Sequence, residues 1–290
     1  SFFNRGACAL LNSNVAAGSS LTSSYLTLGA GTRTKAAEKQ PGYGSGEVFS
    51  SEGGSASEVL QRRLDMSVHA EVLQPNIIPI VENNLNLGYL VEIGALGTAL
   101  QNSGHKIAVI GCADTNTEER PLVNMFMNNE GSVAYGYLGP KLLVREANGP
   151  FGYWTSNEAV LATACRYKAR ADIIAIEWSD LYRADKYAHY CEPAMALKMR
   201  EEALKRLDSF LTLFLTEFTP KANIIAVISP SPRLRGIDSG QRLTPMAIGG
   251  PNIEKGHLCS ATTRRPGLVA NVDIPVSILA AFNLLAPKSM

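Results

Sequence analysis

The sequence has little of what marks nucleic-acid-binding, membrane-spanning or secreted proteins. Lys and Arg together number 27 against 26 Asp and Glu, which leaves a net charge of +1. Without an excess of positive charge, the chain has no electrostatic basis for binding nucleic acid or an acidic membrane surface. No apolar run approaches the ~18 residues that a membrane-spanning helix needs. The opening stretch SFFNRGACALLNSN lacks the basic region and apolar core of a signal peptide.

The cysteines are few, odd in number and scattered along the chain. They are Cys8, Cys112, Cys165, Cys191 and Cys259. No two of them form a Cys-x-x-Cys pair, which argues against a zinc ribbon or a disulfide framework. We therefore expect free thiols that pack as small hydrophobic side chains.

The remaining composition is that of an ordinary globular protein. Hydrophobic residues make up 46% of the chain and charged residues 18%. At 290 residues the chain is long enough to bury a sizeable core. We predict one α/β domain over residues 1–290.

Apolar runs of strand length alternate with longer helical patterns. The predicted strands are 105–111, 171–178, 223–229 and 245–250, and the predicted helices are 88–104, 157–169, 192–218 and 273–285. Strands that are apolar on both faces and alternate with helices are typical of a mostly parallel sheet covered on both sides.

Two polar stretches precede this alternation. SSLTSSYLTLGAGTRT (19–34) is a hydroxyl-rich run, and we interpret it as leading into a β-like stretch and a glycine turn. Residues 35–58 are rich in Gly and Ser, which predicts an exposed excursion. Its GYGSG segment has no preceding strand and no following Lys-Ser/Thr pair, so a loop is favoured over a phosphate-binding site.

Parallel sheets bind ligands at the carboxyl ends of their strands. We therefore expect chemistry in three stretches that directly follow predicted strands, 112–120, 179–189 and 230–236. In the second, Asp185 and His189 stand four residues apart. That spacing brings a carboxylate and an imidazole to one metal ion if the segment is helical. A solvated pair on a surface loop is the alternative.

Two other groups are candidate ligand-binding residues. Asp114 follows the first predicted strand, with Arg120 six residues further on. Asp114 is a candidate for binding a metal or a substrate, and an Asx turn at the strand exit is the alternative. Arg264 and Arg265 stand beside hydroxyls in SATTRRPG. Such a pair suits an anion, although an exposed basic loop explains it equally well.

Four stretches resemble the alkaline phosphatase superfamily, which also includes cofactor-independent phosphoglycerate mutases, nucleotide pyrophosphatases and sulfatases. They are YLTLGAGTR (25–33), DLYRADKYAH (180–189), NIIAVISPSP (223–232) and TTRRPGLVANVDIPVSILAAFNLL (262–285). The resemblance implies a three-layer α/β/α fold with a central, mostly parallel sheet. It is nearest to a bacterial branch whose extracytoplasmic domain is joined to membrane segments, so it implies an extracytoplasmic or membrane-associated domain of a larger protein.

The resemblance also implies a chemistry. In active members two divalent metal ions flank a Ser or Thr nucleophile, and a covalent intermediate forms. Counting back from Gly31 places the nucleophile position at Leu21, so the flanking Ser20 and Thr22 are the candidate hydroxyls. Asp185 and His189 match the metal motif of the family, and zinc or manganese is the implied ion.

Other expected ligand positions depart from the family pattern. Pro230 and Ser231 stand where the family has Asp-His, and Gln241 and Arg242 stand near the position of the last metal-binding His. The family's first strand, which ends in a metal-binding Asp, is expected to be absent.

These departures favour a diverged, non-catalytic domain of unknown partner. The alternative is a metal-dependent phosphoester or sulfate-ester hydrolase with a rearranged site. In that alternative Arg264 or Arg265 holds the anion. A nicotinamide-binding domain is disfavoured, because no Gly-x-Gly-x-x-Gly lies between a strand and a helix.

Overall fold

The computed structural model describes residues 6–36, 40–49 and 52–290 as a mixed α/β structure with several sheets, some of them parallel. The strands are β1 (Ala7–Asn12), β2 (Tyr43–Gly44), β3 (Val72–Leu73), β4 (Ile107–Gly111), β5 (Ser132–Val133), β6 (Tyr135–Tyr137), β7 (Leu143–Arg145), β8 (Tyr153–Thr155), β9 (Ile173–Glu177), β10 (Ile225–Ile228), β11 (Leu243–Gly249), β12 (Gly256–His257) and β13 (Leu268–Ala270). The helices are α1 (Leu21–Ala30), α2 (Ala56–Leu64), α3 (Ile77–Asn84), α4 (Ala95–Asn102), α5 (Val123–Phe126), α6 (Asn157–Tyr167), α7 (Asp180–Tyr187), α8 (Pro193–Glu217), α9 (Leu234–Asp238) and α10 (Asp273–Ala281).

Two larger sheets organise the chain. In the first, β1 pairs antiparallel with β11 and parallel with β12 and β13, and β10 pairs antiparallel with β11. In the second, β4 lies between β6 and β9 and is parallel to both, with Ile110 opposite Tyr137 and Ile176. Two small antiparallel sheets, β2–β3–β5 and β7–β8, are formed by short strands in the segments that connect the strands of the two larger sheets.

The predicted strands are present, but their directions are mixed. The prediction over 245–250 corresponds to β11, which is antiparallel to both of its neighbours. β1 was not predicted at all, yet it lies inside the first sheet between β11 and the β12–β13 pair. No strand was predicted before the hydroxyl-rich run, and β1 corrects that expectation.

The hydroxyl-rich run is a helix and not a β-like stretch. The Ser20 side chain caps the first turn of α1 by accepting from the backbone N–H of Ser23. Gly31 ends the helix in the left-handed conformation at φ 69°, which glycine adopts without steric cost. Every residue from Ser23 to Ala30 is buried. Capping at both ends and burial outweigh the weak helix propensity of Ser and Thr.

The stretch predicted as a helix from residue 88 becomes helical only at Ala95. Gly88 and Gly94 both have positive φ values, 77° and 80°. A right-handed helix cannot pass through such residues, so α4 begins after the second of them. It ends at Asn102, close to the predicted end at Gly104.

Part of the Gly/Ser-rich stretch at 35–58 is buried, which corrects the prediction of an exposed excursion. Tyr43 and Phe49 are buried and pack edge to face with their ring centroids 5.2 Å apart. Ala56, at the start of α2, is fully buried in the same core. Residues 37–39, 50 and 51 of this stretch lie outside the described residues.

Strand residues alternate between two core clusters. In β4, Ile107 and Val109 belong to one cluster, whereas Ala108 and Ile110 belong to the other. The first cluster contains side chains of α1, α2, α3, α4 and α10, and the second contains side chains of α6 and α8. Because successive strand residues point to opposite faces, helices cover both faces of β4.

The long helix α8 matches its predicted bounds of 192–218 within a residue at each end. Pro193 occupies its first turn, where a missing N–H costs nothing. Phe210 and Phe214 point from α8 into the second cluster, and Phe214 stacks on Phe218 at 4.6 Å. Across the described residues, no helix is both long and apolar enough to cross a membrane.

We predict that Gly97→Ala destabilises the protein. A Cβ at Gly97 would lie 2.2 Å from the carbonyl oxygen of Met127 and 2.4 Å from that of Phe126. Alanine gains about 1 kcal/mol of helix propensity over glycine, but overpacking against backbone costs about 1–3 kcal/mol. We expect the free energy of unfolding, measured with urea, to fall.

The matched control for this substitution is Gly46→Ala. A Cβ at Gly46 meets nothing within 4 Å, and its φ is not positive. Equal stability of the two variants would contradict the close approach of α4 to the segment after α5.

Candidate functional site

A cleft lies at the N-terminus of α1 and is larger than a second cleft at the start of α8. It has a volume of about 340 Å³ and lies between the first turn of α1 and the segment that follows β4. Its lining residues are Gly18, Ser19, Ser20, Leu21, Thr22, Ala36, Gln40, Pro41, Glu118, Glu119, Arg120, Pro121 and Tyr182. Two of the predicted groups, the hydroxyls of Ser20 and Thr22 and the stretch after β4, therefore meet in this cleft.

The two candidate nucleophiles differ in their hydrogen bonds. Ser20 Oγ accepts from the backbone N–H of Ser23 at 3.0 Å and lies 2.9 Å from Ser23 Oγ. It therefore serves as a helix cap. Thr22, in the first turn, has no hydrogen-bond partner for its hydroxyl among the described residues. No general base within hydrogen-bond distance of either hydroxyl is found in the described part of the chain.

Arg120 is enclosed by two carboxylates. Its Nε and Nη2 atoms donate to Asp114 at 2.8–3.2 Å, and its Nη1 donates to both oxygens of Glu47 at 2.6 Å. Its side chain is only 3% exposed. Burial by itself lowers the pKa of Arg120, but the hydrogen bonds and charges of Asp114 and Glu47 outweigh burial and raise the pKa. Asp114 therefore positions Arg120 and also accepts from the backbone N–H of Glu119 at 2.8 Å.

The two glutamates before Arg120 are also paired. Glu119 is buried and bonds to Lys186 and to the hydroxyl of Tyr182, both of them on α7. Glu118 accepts from the Tyr43 hydroxyl at 2.7 Å. Burial, with the charge and hydrogen bond of Glu119, raises the pKa of Tyr182. The cleft wall is therefore a network of charges satisfied within the protein.

Glu177 ends β9 behind this wall and is buried. Burial raises its pKa to about 8, against the lowering effects of a hydrogen bond from Tyr25 and the charge of Arg183. The nearby carboxylates Asp114 and Glu119 raise it further. One oxygen of Glu177, Oε2, has no hydrogen-bond partner. Near neutral pH its carboxyl group is therefore largely protonated.

Asp180 and Arg183 form an ion pair with no exposure to solvent. Asp180 Oδ1 accepts from Arg183 at 2.5 Å and from the backbone N–H and hydroxyl of Thr155 at 2.7 and 2.8 Å. Arg183 also donates to the carbonyl of Cys112 at 2.7 Å, just after β4. Arg206 from α8 approaches the second oxygen of Asp180 at 3.6 Å. The pair thus ties the ends of β4, β8 and β9 to α8.

Asp185 and His189 lie on a helical segment, as their predicted pairing requires. Asp185 is on α7, and His189 is in the 3₁₀ turn that follows it. Asp185 is bound by Arg200 at 2.8 Å, and Arg233 approaches the same oxygen at 3.5 Å. His189 is exposed. Asp185 lines a smaller cleft of about 190 Å³ at the start of α8, away from Ser20 and Thr22.

The predicted anion-binding arginines lie in the turn that leads into β13. Arg264 and Arg265 are exposed and precede β13. Arg264 has a positive φ of 51°, and its Nε donates weakly to the carbonyl of Ala261 at 3.4 Å. Neither arginine lines the cleft that contains Ser20 and Thr22.

The described residues contain no group of three or more His, Cys, Asp or Glu side chains placed to hold one metal ion. A zinc site uses three or four protein ligands. The predicted metal ligands Asp185, His189 and Asp114 are therefore not assembled into one site in the described part of the chain. Both carboxylates of that set bind arginine instead.

Two of the predicted stretches contain charged, buried residues that were not singled out from the sequence. Glu119, Asp180 and Arg183 fall within the predicted stretches 112–120 and 179–189. The available signal was position: Glu177 is a charged residue at the end of a buried strand, and Asp180 follows three residues later. Their partners were not visible, since Tyr25 and Thr155 come from distant parts of the chain.

Comparison with known proteins adds evidence on the fold. The chain is similar to the PH0037 protein from Pyrococcus horikoshii, with a TM-score of 0.51 and 12% sequence identity. The likeness covers 97% of this chain and 86% of that one. At this identity it concerns the fold alone. No family model and no curated protein matches the sequence.

Proposed function

We propose that this chain is a diverged, non-catalytic domain with an alkaline-phosphatase-like, three-layer α/β/α architecture, acting by binding and not by hydrolysis. The architecture is supported by the two core clusters, which place α1, α4 and α10 on one face of the strands and α6 and α8 on the other. The parallel arrangement of β4, β6 and β9 agrees with it. β1 ends in Asn12, which supplies no carboxylate for a metal.

One observation carries the non-catalytic assignment: acids near the strand ends are neutralised by cations of the protein itself. Asp114 binds Arg120, Glu119 binds Lys186 and Asp180 binds Arg183. Divalent metal ions would supply this positive charge in an active member of the resembled family. A carboxylate already held by a buried guanidinium is a poor metal ligand, because binding a metal would leave the guanidinium unpaired. The donor set therefore does not fit a pair of zinc or manganese ions.

The resemblance places such a domain outside the cytoplasm, as part of a larger membrane-anchored protein. The balanced charge of the chain supports a partner other than nucleic acid.

Metal titration tests the proposal directly. We expect calorimetry with zinc and with manganese to show no tight binding by the wild-type protein. Any weak zinc binding at His189 should be unaffected by Asp185→Ala, because Asp185 already binds Arg200 and Arg233. Tight binding of two ions per chain, lost in Asp185→Ala, would overturn the proposal.

A second candidate is a phosphoester or sulfate-ester hydrolase with a rearranged site. It is favoured by the hydroxyl of Thr22, which lines the larger cleft at a helix N-terminus, where N–H groups favour negative charge. Assays with aryl phosphates, diesters and sulfates, with and without added metal, test it. Activity that disappears in both Ser20→Ala and Thr22→Val would establish this candidate in place of the first.

A further inference from the structure

The smaller cleft, at the start of α8, combines guanidinium groups with apolar side chains. Its volume is about 190 Å³. Its lining residues are Asp185, Ala188, Pro193, Ala196, Leu197, Arg233 and Arg235. The two arginines belong to α9 and the residue before it, whereas the other five belong to α7, the 3₁₀ turn after it and α8. One wall is therefore positively charged, and the other is mostly apolar.

The two arginines have most of their donors free. Arg233 approaches Asp185 through Nε at 3.5 Å, and its two terminal nitrogens form no hydrogen bond with the residues that the structure describes. The side chain of Arg235 is exposed and forms no hydrogen bond or ion pair with them either. Each guanidinium group carries five N–H donors. The charged wall therefore offers two guanidinium groups to a ligand.

Asp185 does not neutralise this wall. Among the described residues it is the only acidic one that lines the cleft. Its Oδ1 accepts from Nη1 of Arg200 at 2.8 Å, a closer contact than the one with Arg233. The charge of Asp185 is therefore already compensated by Arg200. The charges of Arg233 and Arg235 remain for a ligand, which favours an anion and especially a planar carboxylate.

The apolar wall distinguishes between kinds of anion. It consists of Ala188, Pro193, Ala196 and Leu197, and Leu197 is 58% exposed. Inorganic phosphate has no apolar surface to cover these side chains. An Asp or Glu side chain carries its carboxylate at the tip, with no apolar group beside it. The C-terminal residue of a polypeptide, in contrast, carries a carboxylate and a side chain on the same carbon atom. If that side chain is apolar, the residue fits both walls at once.

The size of the cleft also favours a single residue. Pockets that enclose a whole small ligand usually have volumes of about 300–1,000 Å³, and this cleft has only about 190 Å³. We propose that it binds the C-terminal residue of a partner protein. The α-carboxylate lies on Arg233 and Arg235, and an apolar side chain such as that of leucine packs against Pro193 and Leu197. Capture of a C-terminal carboxylate is a recurring mode of peptide recognition.

Three short peptides and one inorganic ion test the two features separately. The parent probe is acetyl-Gly-Gly-Leu with a free C-terminus. Its C-terminal amide removes only the negative charge, and acetyl-Gly-Gly-Gly removes only the apolar side chain. Inorganic phosphate is the comparison for an anion without apolar surface. Binding to the whole chain is measured by calorimetry in buffer that contains EDTA, so that no metal ion bridges a carboxylate to the protein.

We expect the leucine peptide with a free C-terminus to bind most tightly, and about tenfold more tightly than its amide. Arg233→Gln and Arg235→Gln should each weaken its binding about tenfold, because each removes a charged donor. Leu197→Asn should weaken the leucine peptide but not the glycine peptide. Arg264→Gln is the matched control, since Arg264 is exposed but does not line the cleft. All four side chains are exposed, so the melting temperature should stay unchanged.

Four outcomes would each overturn the proposal. Equal binding of the leucine peptide and its amide would show that the arginines do not hold the carboxylate. Glycine peptide or phosphate binding as tightly as the leucine peptide would show that the apolar wall plays no part. Full binding by both arginine variants, or no binding of the leucine peptide at millimolar concentrations, would exclude this cleft as the binding site.

The inference goes beyond the proposed function and can fail separately from it. Tight metal binding would overturn the non-catalytic assignment whatever the peptide titration in EDTA shows. Absence of peptide binding would leave the metal result untouched.

Discussion

Asp180→Ala is expected to lower the free energy of unfolding by about 3–5 kcal/mol, the cost of breaking a buried ion pair by removing one partner. Neither Asp180 nor Arg183 is exposed, and the substitution leaves the guanidinium uncompensated. Thr155 also loses the acceptor for its N–H and hydroxyl. Urea unfolding followed by circular dichroism measures the change.

Two further variants make the interpretation specific. In the double variant Asp180→Leu/Arg183→Met both charges are gone, so it should be more stable than Asp180→Ala. Asp208→Ala, on the exposed face of α8, is the matched control and should change stability by no more than about 0.5 kcal/mol. If Asp180→Ala behaved like this control, Asp180 would not be a buried, ion-paired residue.

The second large effect is a loss of stability with rising pH that depends on Glu177. Burial raises the pKa of Glu177 in the folded protein to about 8, from an ordinary value of 4.5. Between these values the folded state holds a proton that the unfolded state has lost. The contribution of Glu177 is therefore fully present below pH 4.5 and declines by about 1.4 kcal/mol per pH unit as the pH rises toward 8.

Glu177→Gln isolates this contribution from those of other titrating groups. Glutamine is a neutral isostere of the protonated carboxyl group, so the variant should lack this part of the pH dependence. We expect the stability of the wild type relative to Glu177→Gln to fall between pH 5 and pH 8, measured by urea unfolding at several pH values. Parallel stability curves for the two proteins would show that Glu177 keeps an ordinary pKa.

Regular elements with strong patterns were predictable from the sequence. The apolar runs predicted β4, β9 and β10, and the long amphipathic pattern predicted α8. Such patterns record whether one face or both faces of an element are buried, and they are local properties of the chain. β1 was missed although its residues ACALLN form a short apolar run, because so short a run does not by itself distinguish a strand from other buried segments.

The clearest error, at α1, shows where local reasoning fails. Ser and Thr favour turns and caps over helix interiors, and the run of hydroxyls therefore did not indicate a helix. In the folded protein Thr27 bonds to Thr34 at 3.0 Å, and both side chains are buried. Burial of this kind depends on which elements surround α1, and that information is not in the run itself.

The sequence alone determined the α/β class, the main strands and the polar stretches that follow their carboxyl ends. Only the tertiary structure decided what those residues do. Glu47 and Arg120 are 73 positions apart, and Glu119 and Lys186 are 67 apart, yet each pair is in direct contact. Asp114 and Asp185, predicted metal ligands, bind arginines instead. The spacing of residues along the chain shows which side chains could bind one ligand together. Only the packing of distant elements determines which charged partner each of those side chains binds.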